Sequence, residues 1–379
     1  MQPLVSVIVP FYNAERNSSR VRAKIKSLTT KKVEVILVDD GSTDATIELL
    51  AETASEAKVP TAVIQQDNRG PGGARNAGFK LAKGTFVWFV DCDDDFSEDA
   101  LELLIQQSTA DYDFIDFNVR VGDRPSENSM GWTPGVHTVS SENRATLARN
   151  FGRLHSKAFR REWLANHEVF YPEYCLFEDT PLFFELPFLT KSFLKSEIVG
   201  YFQYLDFDSV TRGKLSPRYF DRLWNVSLGL EQGLRLAKSE QEKSVLIDQF
   251  NELFLVRVFQ QLKARLFSPR ASLMSIIRNK DFFALIREIG LRIELAPHFQ
   301  HFSLMLRVMT RFRAESRRLN VPVSYSKHIG QLSRTERVSF RAMWFLSFLR
   351  PNQPAFFDDL RQKAWGREFT PSPDVLAIS

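Results

Sequence analysis

The sequence predicts an α/β protein: a doubly wound, mostly parallel sheet in the first half, followed by a mainly helical region. Three observations carry that expectation. Short apolar runs alternate with polar segments of helical length through the first third. The acids Asp91-Cys92-Asp93-Asp94-Asp95 stand directly after the apolar run Gly84–Val90. Beyond Pro217, apolar residues recur at helical spacing.

Taken in order, Val5–Val9 reads as a first strand, Arg16–Thr29 as a polar segment of helical length and Val33–Val38 as a second strand. Ala45–Ala57 is a good helix former, opened by the capping residues Ser42-Thr43-Asp44. Strand Thr61–Gln65, helix Gly73–Ala82, strand Thr85–Val90 and a helix starting near Ser97 follow. The pattern then becomes mixed. Phe114–Val121 reads as a strand, Gly122–Pro134 as a loop, and Ser140–Phe151 and Arg160–His167 as helices. Glu178–Thr190 begins with acids and continues apolar, as a helix N-terminus should. Asp221–Ala237, Gln241–Phe267, Ala271–Lys280 and Phe283–Glu288 complete the helical reading, with Leu246, Phe250, Leu253, Phe254, Phe259 and Leu262 as core positions.

Composition narrows the class. The chain has 379 residues, 44% of them hydrophobic, enough for one large domain or two ordinary ones with a real core. Cys92 and Cys175 are its two cysteines, so no disulfide framework is implied, which suits a cytoplasmic protein. The opening Val5–Val9 run is too short for a secretory signal, and no uninterrupted apolar run approaches the roughly 18 residues of a membrane span. The net charge of +4 is unevenly spread: residues 1–212 hold 23 Lys and Arg against 31 Asp and Glu, and residues 213–379 hold 27 against 15.

Four polar segments end strands or open helices: Pro10-Phe-Tyr-Asn13, Asp39–Asp44, Asn68–Gly78 and Asp91–Asp95. In a doubly wound sheet the strand C-termini share one edge, so these segments should converge on one crevice. There a tyrosine can stack on a base, a carboxylate can accept from a base N–H, and an arginine near a helix N-terminus suits a phosphate. Crowded carboxylates repel unless a cation sits among them, and hard divalent ions prefer oxygen ligands. The competing reading of Asp91–Asp95 is an acidic turn leading into the next helix.

In order and spacing, Val5-Ser-Val-Ile-Val-Pro-Phe-Tyr-Asn13, Val38-Asp-Asp-Gly-Ser-Thr-Asp44, Asn68-x-Gly-x-x-x-Ala-Arg-Asn-x-Gly78 and Val90-Asp-Cys-Asp-Asp94 resemble glycosyltransferase family 2, inverting enzymes of GT-A fold. His155-Ser-Lys-Ala-Phe-Arg160, Phe177-Glu-Asp179 and Ser209-Val-Thr-Arg212 extend the resemblance, which covers roughly residues 3–212 and looks like the bacterial cell-surface polysaccharide type. It implies a GT-A domain over 1–215 and leaves a helical, basic domain over 216–379. It also implies transfer of a sugar from a UDP-sugar to a hydroxyl of a glycan, polyol-phosphate or lipid-linked acceptor. By resemblance, Pro10, Tyr12, Asp40, Asn68, Arg75 and Asp91 hold the donor nucleotide, and Asp93 binds Mn²⁺ or Mg²⁺. Asp179 is the general base, Glu178 orients it, and His155, Lys157, Ser209, Thr211 and Arg212 line the acceptor or diphosphate side.

Two departures stand out. Cys92 fills the middle of the DxD motif; its thiol is soft and sits among acids, which makes it a filler and not a ligand for a hard ion. Asp95 lengthens the run and leaves the metal ligand open among Asp93, Asp94 and Asp95. In the basic half, Arg307, Arg311 and Arg318 share a helical face and Ala342–Leu349 is aromatic-rich, a pairing that fits a membrane surface, an acidic polymer, or ordinary packing or a homo-oligomer contact. A peripheral position at the inner face of the membrane is the matching localisation. Nucleic acid is not expected, because the aromatic residues there fall at core spacings. A dehydrogenase is disfavoured because no glycine-rich turn follows the first strand, and nucleotidyl transfer because Val5–Asn13 lacks a glycine-rich loop with Arg and Lys. The non-enzymatic alternative is a glycan- or lipid-binding scaffold with a GT-A-like fold.

Overall fold

The computed structural model describes residues 2–205, 221–251 and 253. They fall in two compact units, one holding 2–205 and the other 221–253.

The first unit is built on a nine-stranded mixed sheet. Its parallel half consists of β1 (Val5–Phe11), β2 (Val33–Asp39), β3 (Thr61–Gln65) and β4 (Phe86–Phe89). They lie in the order β3-β2-β1-β4, as a doubly wound sheet requires. All seven residues of β1 are buried, because helices cover both faces of a central parallel strand. Alternation splits the core in two. Val5, Val7, Val9 and Phe11 pack with Val21, Ile25, Leu50 and Leu101 of α1 (Ser19–Ser27), α2 (Thr46–Glu56) and α4 (Glu98–Gln106). Ile8, on the opposite face, packs in the cluster of Ala74 from α3 (Gly70–Leu81) and Leu182 and Leu186 from α7 (Thr180–Leu189). The Cβ of any larger residue at Gly78 would fall 2.4 Å from Ile8 Cγ2, so this glycine sets how closely α3 approaches the sheet.

The second half of the sheet is mixed. It runs from β4 through β8 (Lys157–Arg160), β6 (Phe114–Val121) and β9 (Ser192–Gln203) to β5 (Asp95–Phe96), with β7 (Gly135–Thr138) pairing β9. The short helices α5 (Arg144–Arg149) and α6 (Arg161–Asn166) flank β8 in sequence. Strands β3 and β6 have the predicted bounds. Helix α3 starts three residues earlier than predicted, with Gly70 at φ +79° and Pro71 in the first turn. Ser97 caps α4, its Oγ accepting from the Ala100 N–H at 3.1 Å, and Glu98 and Asp99 fill the first turn.

Strands β5, β7, β8 and β9 are additions to the predicted set. In β9, Lys195 and Glu197 interrupt the apolar alternation, and its register against β6 shifts near Asn118, so no clean period of two reaches the sequence.

The second unit contributes α8 (Asp221–Leu236) and α9 (Glu240–Asn251). A capping box opens α9: the Ser239 Oγ accepts from the Glu242 N–H and the Glu242 carboxylate accepts from the Ser239 N–H, both at 3.2 Å. Leu246 and Phe250 are buried as expected; the predicted core positions Phe254, Phe259 and Leu262, the helices after them and the arginine-rich face lie outside the described residues.

Candidate active site

The site grows from the C-terminal ends of β1, β2 and β4. Just past β1, Asn13 takes a left-handed backbone (φ +47°), and its Oδ1 accepts from the Thr43 N–H at 2.8 Å. The Ser42 Oγ accepts from the Asn13 N–H at 2.9 Å, so the turns after β1 and β2 are laced together. Pro10 pairs with Val38 inside the sheet, while Tyr12 is 49% exposed, a large ring left on this edge. Asp40 is buried at the same edge. Its carboxylate accepts from Gln66 Nε2 at 2.7 Å and the Arg69 N–H at 2.8 Å, and burial pushes its pKa up to about 6 against those hydrogen bonds. Gly41 must be glycine: φ is +75°, and a Cβ would fall 2.9 Å from the Asn68 nitrogen. Asn68 in turn accepts from the Gly70 N–H at 3.3 Å, which fixes the entry into α3.

Arg75, on α3, ties two motifs together. Its Nη2 donates to Asp91 Oδ1 at 2.7 Å and its Nη1 to Glu178 Oε1, while its guanidinium lies 5.2 Å from the centre of the Tyr171 ring. The DxD run and the Glu178-Asp179 pair, far apart in sequence, thus meet at one cation. Glu178 is pushed up to about 7, chiefly by burial, with Arg75 opposing and Asp179 adding to the shift. Asp179 stands at the N-cap of α7, and its side chain makes no capping hydrogen bond.

Within the acidic run the structure gives Asp94 and Asp95 protein partners. Asp94 is buried and accepts from the Tyr201 hydroxyl at 2.7 Å and from the Tyr204 N–H at 2.8 Å. Burial and then the charges of Asp91 and Asp93 push it up to about 8. Asp95 is in β5, paired with Phe202, and one of its oxygens accepts from the Phe96 N–H. Asp91 and Asp93 are the acids of the DxD pattern, and Asp91 is held by Arg75. The Cys92 thiol is pushed well up, first by burial and then by its acidic neighbours, which agrees with a filler.

One further assignment changes. Lys157 is fully buried, its Nζ donating to Asp116 Oδ1 at 2.7 Å and to the Arg153 carbonyl at 2.9 Å, so it is a core residue and cannot line an acceptor. His155 is half-buried, its ring 4.4 Å from that of Tyr201, and desolvation pushes its pKa down to about 4, which keeps the imidazole neutral. Ser209, Thr211 and Arg212 lie outside the described residues.

Among the described residues, no three His, Cys, Asp or Glu side chains form a metal cage. What stands here is a pair of hard carboxylates, Asp91 and Asp93, two residues apart on one turn, with Asp91 also held by Arg75. That donor set fits a divalent ion taking its other oxygens from a diphosphate and water, and does not fit a self-sufficient metal site.

Sequence reasoning missed the residues that hold the 171–175 segment against α3. The Asn76 amide behaves like a strand partner: its Nδ2 donates to the Tyr171 carbonyl at 2.8 Å and its Oδ1 accepts from the Tyr171 N–H at 3.0 Å. A Cβ on Gly72 would fall 2.1 Å from the Pro172 carbonyl oxygen, which explains the glycines beside Pro71. Asn76 and Gly72 were visible as motif letters; Tyr171, 95 residues away from Asn76, offered no local signal.

The sequence profile described as glycosyl transferase family 2 matches residues 6–167. Over those residues the chain is similar to family 2 glycosyl transferases. An uncharacterized glycosyltransferase of Haemophilus influenzae is 37% identical over 100 residues, covering 26% of this chain and 40% of the relative. The Bacillus subtilis uncharacterized glycosyltransferase EpsJ is 39% identical over 108 residues, 28% of this chain and 31% of its own length. The poly(ribitol-phosphate) beta-N-acetylglucosaminyltransferase TarS of Staphylococcus aureus is 29% identical over 175 residues, covering 44% of this chain and 29% of TarS. The chain thus spans less than half the length of these curated relatives. In fold it is similar to the crystal structure of S. aureus TarS 1–349 in complex with UDP-GlcNAc, with a TM-score of 0.58 at 23% identity over 87% of this chain and 93% of that one. The fold is GT-A-like, a mostly parallel mixed sheet with helices, as the sequence predicts.

Proposed function

We propose that this protein is an inverting, metal-dependent glycosyltransferase that moves a sugar from a UDP-sugar to a hydroxyl of a bacterial surface glycan, a polyol-phosphate or a lipid-linked acceptor. The observation that carries the reading is the Arg75 bridge: one guanidinium joins Asp91 of the DxD pattern to Glu178, the neighbour of Asp179. The TarS complex, which holds UDP-GlcNAc, supports a uridine nucleotide as donor.

In this reading Tyr12 stacks on the uracil, and the Asp40 carboxylate accepts from its N–H. Asp91 faces the ribose and sugar. An acceptor hydroxyl gives its proton to the Asp179 carboxylate while its oxygen bonds to the anomeric carbon; the bond from that carbon to the diphosphate oxygen breaks, and the electron pair leaves on the diphosphate. A single displacement inverts the configuration. Arg75 keeps Glu178 and Asp91 in place and offsets their repulsion beside Asp179. Mn²⁺ or Mg²⁺ held by Asp93 would neutralise the charge developing on the leaving group. No described helix is long and apolar enough to cross a membrane. Action at the inner membrane surface through the basic residues beyond 216, and self-association through the same region, belong to this proposal.

The test is calorimetry and thermal shift with UDP, GDP, CMP, dTDP and NAD, each with and without Mn²⁺, followed by two variants. UDP should stabilise the protein only with Mn²⁺. Asp93→Ala should lose that binding. Asp179→Asn should keep it and lose turnover by about 10³-fold. Binding of NAD alone, or of no nucleotide, would move the non-catalytic scaffold to the front.

A further inference from the structure

The loop that carries Asp91 and Asp93 is fastened along one side to β9, one of the strands that sequence reasoning missed. The Tyr201 hydroxyl donates to Asp94 Oδ2 at 2.7 Å and accepts from the Asp91 N–H at 3.2 Å. The Tyr204 N–H donates to Asp94 Oδ1 at 2.8 Å. Asp95 and Phe96 pair with Phe202 and Tyr201, and the Ser97 N–H donates to the Gly200 carbonyl at 2.9 Å. On the other side, Arg20 Nη1 approaches the Asp93 carbonyl at 3.5 Å, and its guanidinium lies 4.1 Å from the centre of the Tyr204 ring.

Tyr201 is itself immobilised. It is fully buried, and the His155 ring packs on it at 4.4 Å. The His155 carbonyl accepts from Trp88 Nε1 at 2.9 Å, which ties the stack to β4. A Cβ at Gly200 would meet Phe117 at 2.6 Å, so β9 lies against β6 with no slack just before Tyr201. One hydroxyl therefore contacts both ends of the acidic turn, the Asp91 backbone and the Asp94 side chain.

We propose that Tyr201 is a positioning residue, whose hydroxyl, acting through Asp94 and the Asp91 amide, holds the Asp91–Asp94 turn in the shape that presents Asp91 and Asp93 to the donor diphosphate and its metal. The inference rests on the function proposed above. It has a consequence for the chain after Gln203: whatever moves the end of β9 also moves the DxD turn.

Tyr201→Phe removes one oxygen and keeps the buried ring. Calorimetry with UDP plus Mn²⁺ should show affinity reduced roughly 10- to 100-fold, the range for losing an outer-shell partner of a metal ligand. The donor KM should rise in step while kcat stays within about threefold, a split that a purely structural defect would not give. In ligand-free protein, amide hydrogen exchange should quicken at 91–96 and not across β6. Because Tyr201 acts in part through Asp94, Asp94→Asn combined with Tyr201→Phe should lose less affinity than the two single losses added together. Wild-type affinity for UDP plus Mn²⁺ in Tyr201→Phe, or a lowered melting temperature with unchanged exchange at 91–96, would overturn the inference. Should the unaltered protein ignore UDP plus Mn²⁺, the function reading fails instead, and the exchange experiment still decides whether Tyr201 holds the turn.

Discussion

Two three-membered charge clusters in this protein are mirror images in sign and opposites in setting. In one, Arg75 sits between Asp91 and Glu178, with side chains 12%, 36% and 9% exposed. In the other, Asp116 sits between Lys157 and Lys195, and all three are 0% exposed. The buried cluster is closed off by hydrogen bonds to the protein around it. Ser156 Oγ and Lys157 Nζ both donate to Asp116 Oδ1 at 2.7 Å, and Lys195 Nζ lies 3.1 Å from Asp116 Oδ2 while donating to Asn118 Oδ1 and the Ser196 carbonyl. The Arg75 cluster opens on the crevice edge, with Asp91 partly in solvent. A buried ion cluster stitches strands; one at a sheet edge leaves acids available to a ligand. Lys157 therefore belongs with β6 and β9, although its motif placed it among acceptor contacts.

The largest expected effect separates the two at once. Asp116→Ala would leave two buried ammonium groups without a counter-ion and should cost on the order of 3–5 kcal/mol in urea unfolding. Lys157→Met leaves a one-to-one pair of Asp116 with Lys195, so its cost should be far smaller, and UDP affinity of the folded protein should not change in either variant. Donor binding lost in Lys157→Met at unchanged stability would restore Lys157 to the site and break the comparison.

Arg75→Lys comes next. The charge survives, but the fork that reaches Asp91 and Glu178 together does not. We expect kcat/KM for the donor to fall roughly 10- to 100-fold, with an unfolding midpoint close to that of the unaltered protein. A large stability loss with unchanged kinetics would mean that this cluster is as structural as the buried one.

The Glu178 carboxyl sharpens the contrast through pH. Its folded pKa, pushed up to about 7 mainly by burial, lies above the unfolded value of 4.5. Its contribution to stability is therefore fully present below about pH 4.5 and is lost as pH rises through about 7. Activity should run the other way, because the ionised form holds Arg75: kcat/KM should fall as pH drops through about 7. Glu178→Gln should erase that acid limb at reduced activity, and an unaltered limb in the variant would assign it to another group.

The parallel half was legible because its signals are local. The strand β3, the α4 cap at Ser97 and the glycines of Asn68–Gly78 each follow from a few neighbouring residues. The second half was not, because its reasons are distant. Asp116 meets Lys157 and Lys195 only after β6 lies between β8 and β9, and Tyr201 reaches Asp94 across 107 residues. A lysine inside β9 reads as a solvent residue until its counter-ion is known. The same limit governed the site. The motif letters Asp40, Arg75, Asp91 and Glu178 were readable, whereas Asn76 as a clamp for Tyr171, and Asp94 as a partner of Tyr201, required the fold.

The smallest effect lies at Asp40, a lone buried carboxylate that neither cluster shares. Its folded pKa is pushed up to about 6, first by burial, from an ordinary value of 3.8. The linked stability is present below about pH 3.8 and lost as pH rises through about 6, so at neutral pH the fold carries a buried charge held by Gln66 and the Arg69 amide. Asp40→Asn removes the charge and keeps an oxygen to accept those bonds. Its melting temperature should exceed that of the unaltered protein by a few degrees at pH 7 to 8, with the gap closing toward pH 4. UDP affinity should weaken in the same variant, because the base N–H loses a charged acceptor. A rise in stability that comes with loss of binding would mark Asp40 as kept for its ligand; equal stability at both pH values would place it, like Asp116, among the residues that serve the sheet.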